Sequence, residues 1–509
     1  MDEHSLPGCV SRPGNECFIL ELNRKAVTDN KNTAQQAKQS HSVIDRFFEI
    51  SARGSSIGRE IRGGFVTFFA MAYIVILNPL ILGGEVNSDV AGNFLDPAQV
   101  GAVTSLSAGL MSILFGIVAR LPFAFAAGLG MNSFLAVTVV GQVTWQEAMG
   151  IVIINGIIIC LLGASGIRLA IFRAVPAALK SAITVGIGFF IAFIGFVNAG
   201  FVTATEAGPP VQLGSGGSIA SVPTLLFLIT LLVIGVLVSR RVSGAILIGI
   251  AVATVAAIIV QAVLNLGPAA TSEGGWHMTV PELPATPVTL PDFSLIGQFD
   301  MFGAFGRIGI ISTLMMVFTL LFTNFFDAMG TMNGLAKNAG LSDRDGEFPR
   351  IRGAFIVEGF GAITGGATSS SSTTVFVESA SGIAEGARTG LAATVTGLLL
   401  LLSAFFTPLT AAVPIEVGSA ALVIVGAMMM AQVCEIDFGD FYLALPAFLT
   451  IAAMPLTYSI ANGVGVGFVA YALLHLLGGR AKQVHWLMWV VAAGFLIYFT
   501  RGPIEQLLH

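Results

Sequence analysis

The sequence predicts an all-α polytopic membrane protein of 14 transmembrane spans, built as two inverted seven-span repeats with half-helices in spans 3 and 10. Three observations predict it. Of 509 residues, 55% are hydrophobic and only 10% charged, with a mean hydropathy of +0.86; a soluble chain carries roughly 25% charged residues. The apolar residues gather into runs near the length of about 20 that a membrane-crossing helix needs. Lysine and arginine fall on one side of those runs when 14 are counted, whereas a wrong count would scatter them.

In chain order, residues 1–48 are polar, carry Pro7 and Pro13, and lack an apolar signal-peptide core. They read as a disordered cytoplasmic arm. The first repeat occupies 49–265, with spans near 63–83, 97–119, 122–141, 144–165, 177–198, 222–239 and 243–265. An extracellular connection, 266–306, holds Pro268, Pro281, Pro284, Pro287 and Pro291. The second repeat occupies 307–478, with spans near 308–333, 350–364, 367–383, 389–408, 415–433, 441–459 and 461–478. The tail, 479–509, contains one more apolar stretch at 484–500. Trp486, Trp489 and Tyr498 favour an interfacial helix there over a fifteenth span.

Starting from a cytoplasmic N-terminus, the inner side collects Arg59, Arg62, Arg120, Arg168, Arg173, Lys180, Arg240 and Arg241, then Lys337, Arg344, Arg350, Arg352, Arg388, Arg480 and Lys482. The outer connections carry Glu85, Asp89, Glu206, Glu273 and Glu282. Arg307 is the one exception before the tail.

An odd number of spans per repeat inverts the second repeat relative to the first. Faint internal matches support the pairing. Val175-Pro176, Ser181-Ala182 and Gly188 correspond to Val413-Pro414, Ser419-Ala420 and Gly426 at an offset of 413 − 175 = 238. Gly128 and Gly366 share that offset. The stretch AAGLGMNSFLAVTVV (126–140) is therefore paired with GGATSSSSTTVFVESASG (365–382). Both are too rich in Gly, Ser and Thr for a continuous lipid-facing helix. Irregular backbone at membrane depth belongs where protein or a cavity surrounds it. Two half-helices whose N-termini meet near the midplane would build a small polar pocket; the competing reading is a close helix contact made by small residues.

The eighth span, LLFTNFFDAMGTMNG (320–334), supplies side chains to that pocket, with Asn324, Asp327 and Thr331 on one helical face. Asp327 and Glu378 are the leading functional acids, because a carboxylate at midplane is costly unless protonated, paired or solvated. One of them can carry a proton during transport. Either could instead cap a broken helix end. Glu358 either faces the pocket or sits in a polar helix contact. Asn132 can both donate to and accept from a planar ligand. Phe326 and Phe376 can stack on an aromatic ligand or serve as core. Asn78 reads as a helix break before Pro79. His277, His475 and His485 lie in loops or near span ends. The net charge of −5 excludes a nucleic-acid partner, and no nucleophile–base pair, metal cluster or phosphate loop has coherent spacing. No enzyme, cofactor or metal is expected. The four cysteines, Cys9, Cys17, Cys160 and Cys434, are scattered and form no framework.

GLGMNSFLAVTVV in the third span, TNFFDAMGTMNGLA in the eighth, and SSTTVFVESASGI followed by GARTG around the tenth resemble nucleobase–cation symporters of the nucleobase–ascorbate superfamily. The resemblance is strongest to the AzgA-like branch, the hypoxanthine/guanine/adenine permeases. FVTFFAMAYIVILNPLIL and LPAFLTIAAMPLTYSIANGVGVGF fit the same branch, so that residues 45 to 501 are covered. The resemblance implies a core domain (spans 1–4 and 8–11) that holds the ligand and a gate domain (5–7 and 12–14) that makes a homodimer. It implies purine import by proton symport across the cell membrane, the core moving like an elevator against the gate. Asp327 and Glu378 would hydrogen-bond the base and share the coupled proton. Phe376 and Val377 would offer backbone groups, with Thr374 and Gly128 beside them and Asn132 shaping the third-span side. Where some relatives have a histidine one turn after the eighth-span acid, this chain has Thr331, which leaves coupling to the carboxylates. The run Ser369–Ser372 is richer in serine than the family pattern. Uracil, xanthine or a small anion remains an alternative cargo, and a passive nucleobase channel an alternative mode.

Overall fold

The structure is a computed structural model that describes residues 42–165, 174–205, 210–214, 216–219, 221–269, 272, 274–277, 279–284, 286–342 and 348–508. Residues 1–41 of the expected arm, and Arg168, Arg173, Arg344, Glu206 and Glu273, lie outside these, as does the side chain of Phe326.

The first half begins with α1 (Val43–Phe48), then α2 (Ile57–Met71) and α3 (Ile74–Leu82), which together make one broken span. Ser56 caps α2 by accepting from the Arg59 N–H. The break falls at Ala72 and Tyr73, ahead of Asn78 and Pro79, so Asn78 is a helical residue with a partner rather than a mere helix breaker. Next come α4 (Pro97–Val118), β1 (Phe125–Ala127), α5 (Leu129–Phe134), α6 (Trp145–Ser165), α7 (Ala177–Asn198), the small hairpin β2 (Val202–Ala204) and β3 (Val211–Leu213), α8 (Val222–Ser239) and α9 (Ala245–Leu264). The second half runs α10 (Gly303–Arg307), α11 (Ile310–Asn338), α12 (Ile351–Ala367), β4 (Thr373–Val375), α13 (Ser379–Ala384), α14 (Gly390–Ser403), α15 (Ile415–Met429), α16 (Phe441–Leu456), α17 (Ile460–Leu477) and α18 (Trp486–Leu508).

Among the described residues, ten helical segments are long and apolar enough to cross a membrane, and three shorter apolar helices accompany them. The all-α membrane fold stands, while helix length alone does not yield the count of 14. The shortfall of four has a physical cause: the third and tenth expected spans are each a strand followed by a short helix, and the ninth and thirteenth are helices of only 17 and 16 residues, Ile351–Ala367 and Phe441–Leu456.

Charged groups segregate to two faces. On one, Glu49 accepts from Arg53, Arg120 and Arg350 at 2.8–3.2 Å, and Arg53 also donates to the Arg388 carbonyl. These residues come from four segments expected on one side. On the opposite face, Asp89 accepts from the Trp145 N–H and Arg307 pairs with Glu147 at 2.7 Å. The exceptional arginine thus has a dedicated acid.

The two halves meet where their repeat equivalents touch. Pro176 and Pro414 both cap helices, α7 and α15, at the expected offset of 238. These helices cross at Gly188 and Gly426, where a Cβ on either would lie within 3 Å of the other's carbonyl oxygen. Only glycine permits that approach. The offset fails for the half-helices. β1 pairs antiparallel with β4 in the register Ala126↔Thr374, an offset of 374 − 126 = 248. Gly366, proposed as the mate of Gly128, instead lies in α12 against Met149 and Ile153 of α6. Between the strand and the capping proline the second half is ten residues shorter, 414 − 374 = 40 against 176 − 126 = 50.

The tail helix packs against the bundle. Val484, Met488, Val491 and Phe495, spaced by four, three and four, are all buried. Phe495 packs on Phe318 at 5.3 Å and Phe468 at 6.3 Å between ring centroids, and Gly465 leaves room for it. Tyr498 reaches a small cavity with Thr138, Gln142 and Ser312. α18 therefore runs antiparallel along α17, with one face buried against it.

Candidate functional site

The strand pair sits at the centre of the bundle. Thr373, Thr374 and Val375 are β-branched and favour extended backbone. Pairing β4 with β1 satisfies polar groups that lipid could not. The ladder continues past both strands: the Gly128 N–H donates to the Ser372 carbonyl at 3.0 Å, and the Phe376 N–H to that of Ala124 at 2.9 Å. α5 and α13 follow the two strands, and Gly128 to Met131 at the head of α5 and Phe376 to Glu378 just ahead of α13 line one cavity. The Phe376 N–H, expected to face a ligand, is committed to that ladder.

A cavity of about 170 Å³ opens beside it; an apolar cavity of about 150 Å³ holds benzene, which sets the scale. Of the residues expected to bind, Gly128, Asp327, Thr374, Phe376, Val377 and Glu378 all line it. Asp327 is half-buried at the wall, with Thr323 and Thr331 one turn to either side. Asn324 shares the helical face with Thr331 but lies roughly 10 Å along α11 from it. There the strand has replaced the cavity, and its amide donates to Ser372 Oγ at 3.1 Å. The Thr374 hydroxyl is buried with no hydrogen-bond partner among the described residues.

Asn132 is the expected ligand contact that does not reach the wall. It is fully buried, its amide donating to Asn78 Oδ1 at 2.5 Å, and Asn78 in turn donates to Thr104 Oγ1 at 2.7 Å and the Ser370 carbonyl at 3.1 Å. Ser370 Oγ meets Ser107 Oγ at 2.7 Å, and Ser369 Oγ donates to the Leu295 carbonyl. The serine run is thus part of the polar frame that fixes the crossing, and it stands away from the cavity. Glu358 is buried on α12 and does not line the cavity either.

Sequence reasoning missed Tyr73, Thr184, Thr323 and Gln432 among the polar wall residues. Tyr73, fully buried at the α2–α3 break, donates its hydroxyl to Glu378 Oε1 at 2.5 Å. A buried tyrosine hydroxyl in a membrane span needs a partner, so its presence was a signal; which acid it meets was not. Thr184 of α7 and Gln432, just past α15, are the polar groups on the far wall, among Ile187, Ile191, Val425, Met428 and Met429. All the acids of the cavity are on one wall.

Known proteins match the chain over nearly its whole length. The Permease family model (Xan_ur_permease) matches residues 58–466. A putative permease of Methanocaldococcus jannaschii is 38% identical over 459 residues, covering 90% of this chain and 98% of its own. The guanine/hypoxanthine permease PbuG of Bacillus subtilis is 38% identical, covering 89% and 98%. The adenine permease AdeQ of Escherichia coli is 34% identical, covering 92% and 98%. Among solved structures, the transmembrane domain of the cyanobacterium bicarbonate transporter BicA aligns with a TM-score of 0.56 at 16% identity over 80% of this chain and 97% of that one. SLC26A9 aligns at 0.56 and 13% identity, over 94% and 73%. At such identity the likeness is one of fold.

Proposed function

From the premise that this chain belongs to the Permease family (Xan_ur_permease), within the nucleobase–ascorbate transporters, we propose that it imports purine nucleobases by proton symport across the cell membrane. The chain is a multi-pass membrane permease, not an enzyme. Its cargo follows from relatives that carry guanine, hypoxanthine and adenine.

The observation that carries the reading is the placement of Asp327 and Glu378, from two separate elements, on one wall of a cavity of about 170 Å³. A purine is flat and offers ring and exocyclic N–H groups, each a donor suited to a carboxylate oxygen. Glu378 accepts one such group with the oxygen that Tyr73 leaves. Asp327 accepts another and holds the coupled proton. Thr374 supplies a hydroxyl to the same ligand, Phe376 and Val377 bound its edge, and Gly128 keeps the floor open. Asn132 acts from behind the wall by holding the crossing.

The walls divide as a core and a gate would. Tyr73, Gly128, Asp327 and Glu378 come from spans assigned to the core, and Thr184, Ile187, Val425 and Gln432 from spans assigned to the gate. Sliding of core against gate carries the site across the membrane, the gate also forming a homodimer, with the N-terminus and the Glu49 face cytoplasmic. Uptake of labelled hypoxanthine, guanine, adenine, xanthine and uracil, with and without a protonophore, tests this. Saturable purine accumulation that the protonophore abolishes is the expected result. Uptake of uracil or a small anion in place of purines, or equilibration without accumulation, would refute it.

A further inference from the structure

We infer that Tyr73 is a positioning residue of the purine site: it occupies one oxygen of Glu378 and thereby decides how a base can pair with that carboxylate. The inference rests on the purine reading above and adds to it a determinant on the first span.

Four observations carry it. Tyr73 is fully buried yet borders the cavity, so its hydroxyl is shielded from bulk water and still part of the wall. That hydroxyl donates to Glu378 Oε1 at 2.5 Å. The residue sits where α2 gives way to α3, with the Val75 N–H returning to the Ala72 carbonyl and the Leu77 N–H to that of Tyr73. Its ring lies 6.5 Å from that of Phe376, so the tyrosine is held from two sides of the site.

The consequence is chemical. A free carboxylate presents two oxygens and accepts two parallel N–H donors from one planar partner. Guanine offers such a pair, its ring N1–H and exocyclic amino group; hypoxanthine offers N1–H alone on that edge. With Tyr73 on Oε1, one lone pair of that oxygen is taken and the carboxyl plane is held, so the second of two parallel donors gains little and both bases are received alike. The tyrosine also fixes the carboxyl plane, which otherwise turns about its last side-chain bond. Removing the hydroxyl releases the plane and frees the lone pair.

The test is Tyr73→Phe, which keeps the ring and deletes only the hydroxyl, measured in full-length protein in cells as KM and Vmax for labelled hypoxanthine and guanine. The expected result is a rise of about tenfold in KM for hypoxanthine, a smaller rise for guanine, and Vmax per molecule within about twofold of wild type. Repeating the measurement in Glu378→Gln closes a double-mutant cycle: there Tyr73→Phe should change hypoxanthine KM by less than about twofold. KM does not depend on how much protein reaches the membrane, so reduced expression leaves the comparison intact. An unchanged KM, an equal rise for both purines, or additive effects in the cycle would overturn the inference while leaving purine transport standing. Failure of the wild type to take up any purine would overturn the purine reading and this inference with it.

Discussion

The two walls of the central cavity are built from opposite materials. One wall, from the broken first span, the two strand-and-helix crossings and α11, holds both acids, the tyrosine and a threonine hydroxyl with no partner among the described residues. The other, from α7 and α15, holds aliphatic and methionine side chains with only Thr184 and Gln432 for polarity. The acidic wall is braced by a buried network from Asn132 through Asn78 to Thr104 and Ser370. The apolar wall rests on a glycine crossing of two helices. Groups that must keep a direction need a rigid frame, whereas a surface along which another slides must form no bond it cannot break. On the function proposed above, recognition belongs to one wall and passage to the other.

If that division holds, substitutions on the acidic wall should dominate. The largest effect belongs to Asp327→Asn, which should abolish protonophore-sensitive accumulation while retaining measurable purine exchange across the membrane; accumulation near wild-type levels would remove Asp327 from coupling. Glu378→Gln comes next. A buried hydrogen bond to a charged group contributes roughly 1.5–3 kcal/mol, so affinity should fall on the order of tenfold to a hundredfold. Residual uptake should still depend on the proton gradient, and binding unaltered in a direct assay would argue that the base does not meet Glu378.

On the opposite wall, Met428→Ala should move KM by no more than about threefold, because it removes packing from a half-open surface and leaves no polar group unpaired. A loss as large as that of Glu378→Gln would break the contrast between the walls.

The smallest effect lies far from the cavity. His277, in the connection between the halves, bonds Glu416 at the start of α15 through both its ring Nδ1 and its backbone N–H, each at 3.0 Å. The hydrogen bond to that carboxylate holds the imidazole pKa above its ordinary value of 6.5, against the opposing effect of partial burial. A folded-state pKa raised above the unfolded one gives stability that is full below about 6.5 and is lost as pH rises through the folded value. Thermal unfolding of detergent-purified protein should therefore show His277→Ala lowering Tm more at pH 6 than at pH 9. Equal shifts at both would mean that the ring is not charged against Glu416.

Much of this was legible in the residues themselves. Composition and the one-sided bases gave the membrane fold and the two charged faces, since charge placement is a matter of solvation and needs no tertiary knowledge. Asp327 and Glu378 stood out because an acid among apolar residues demands a reason. The matches from Pro176 to Pro414 and from Gly188 to Gly426 located two helices that touch across the centre. The 238 offset failed for Gly128 and Gly366 because repeats drift by insertion, and strand register depends on pairing that no single segment encodes. That Asn132 stands behind the wall was hidden for a related reason. An asparagine near a ligand and one bracing a backbone crossing are the same residue type in the same kind of stretch, and only the position of Asn78 separates them. Tyr73 escaped notice since its partner lies 305 residues away. The tail helix was read from its tryptophans and tyrosine, which suit an interface, while the buried stripe ending at Phe495 shows its value only beside Gly465.

The division of labour between the walls is tested most directly by locking them together. Leu80 of α3 and Gly418 of α15 are in contact away from the cavity, a Cβ at Gly418 falling 2.4 Å from Leu80 Cδ1. Cysteines at both positions, oxidised to a disulfide, join the acidic wall to the apolar one. Purine binding to the purified, cross-linked protein should stay within about threefold of the reduced form, while uptake by the same variant in cells should cease on oxidation and return on reduction. Uptake that persists through complete cross-linking would mean that the purine passes through a fixed pore and that neither wall moves.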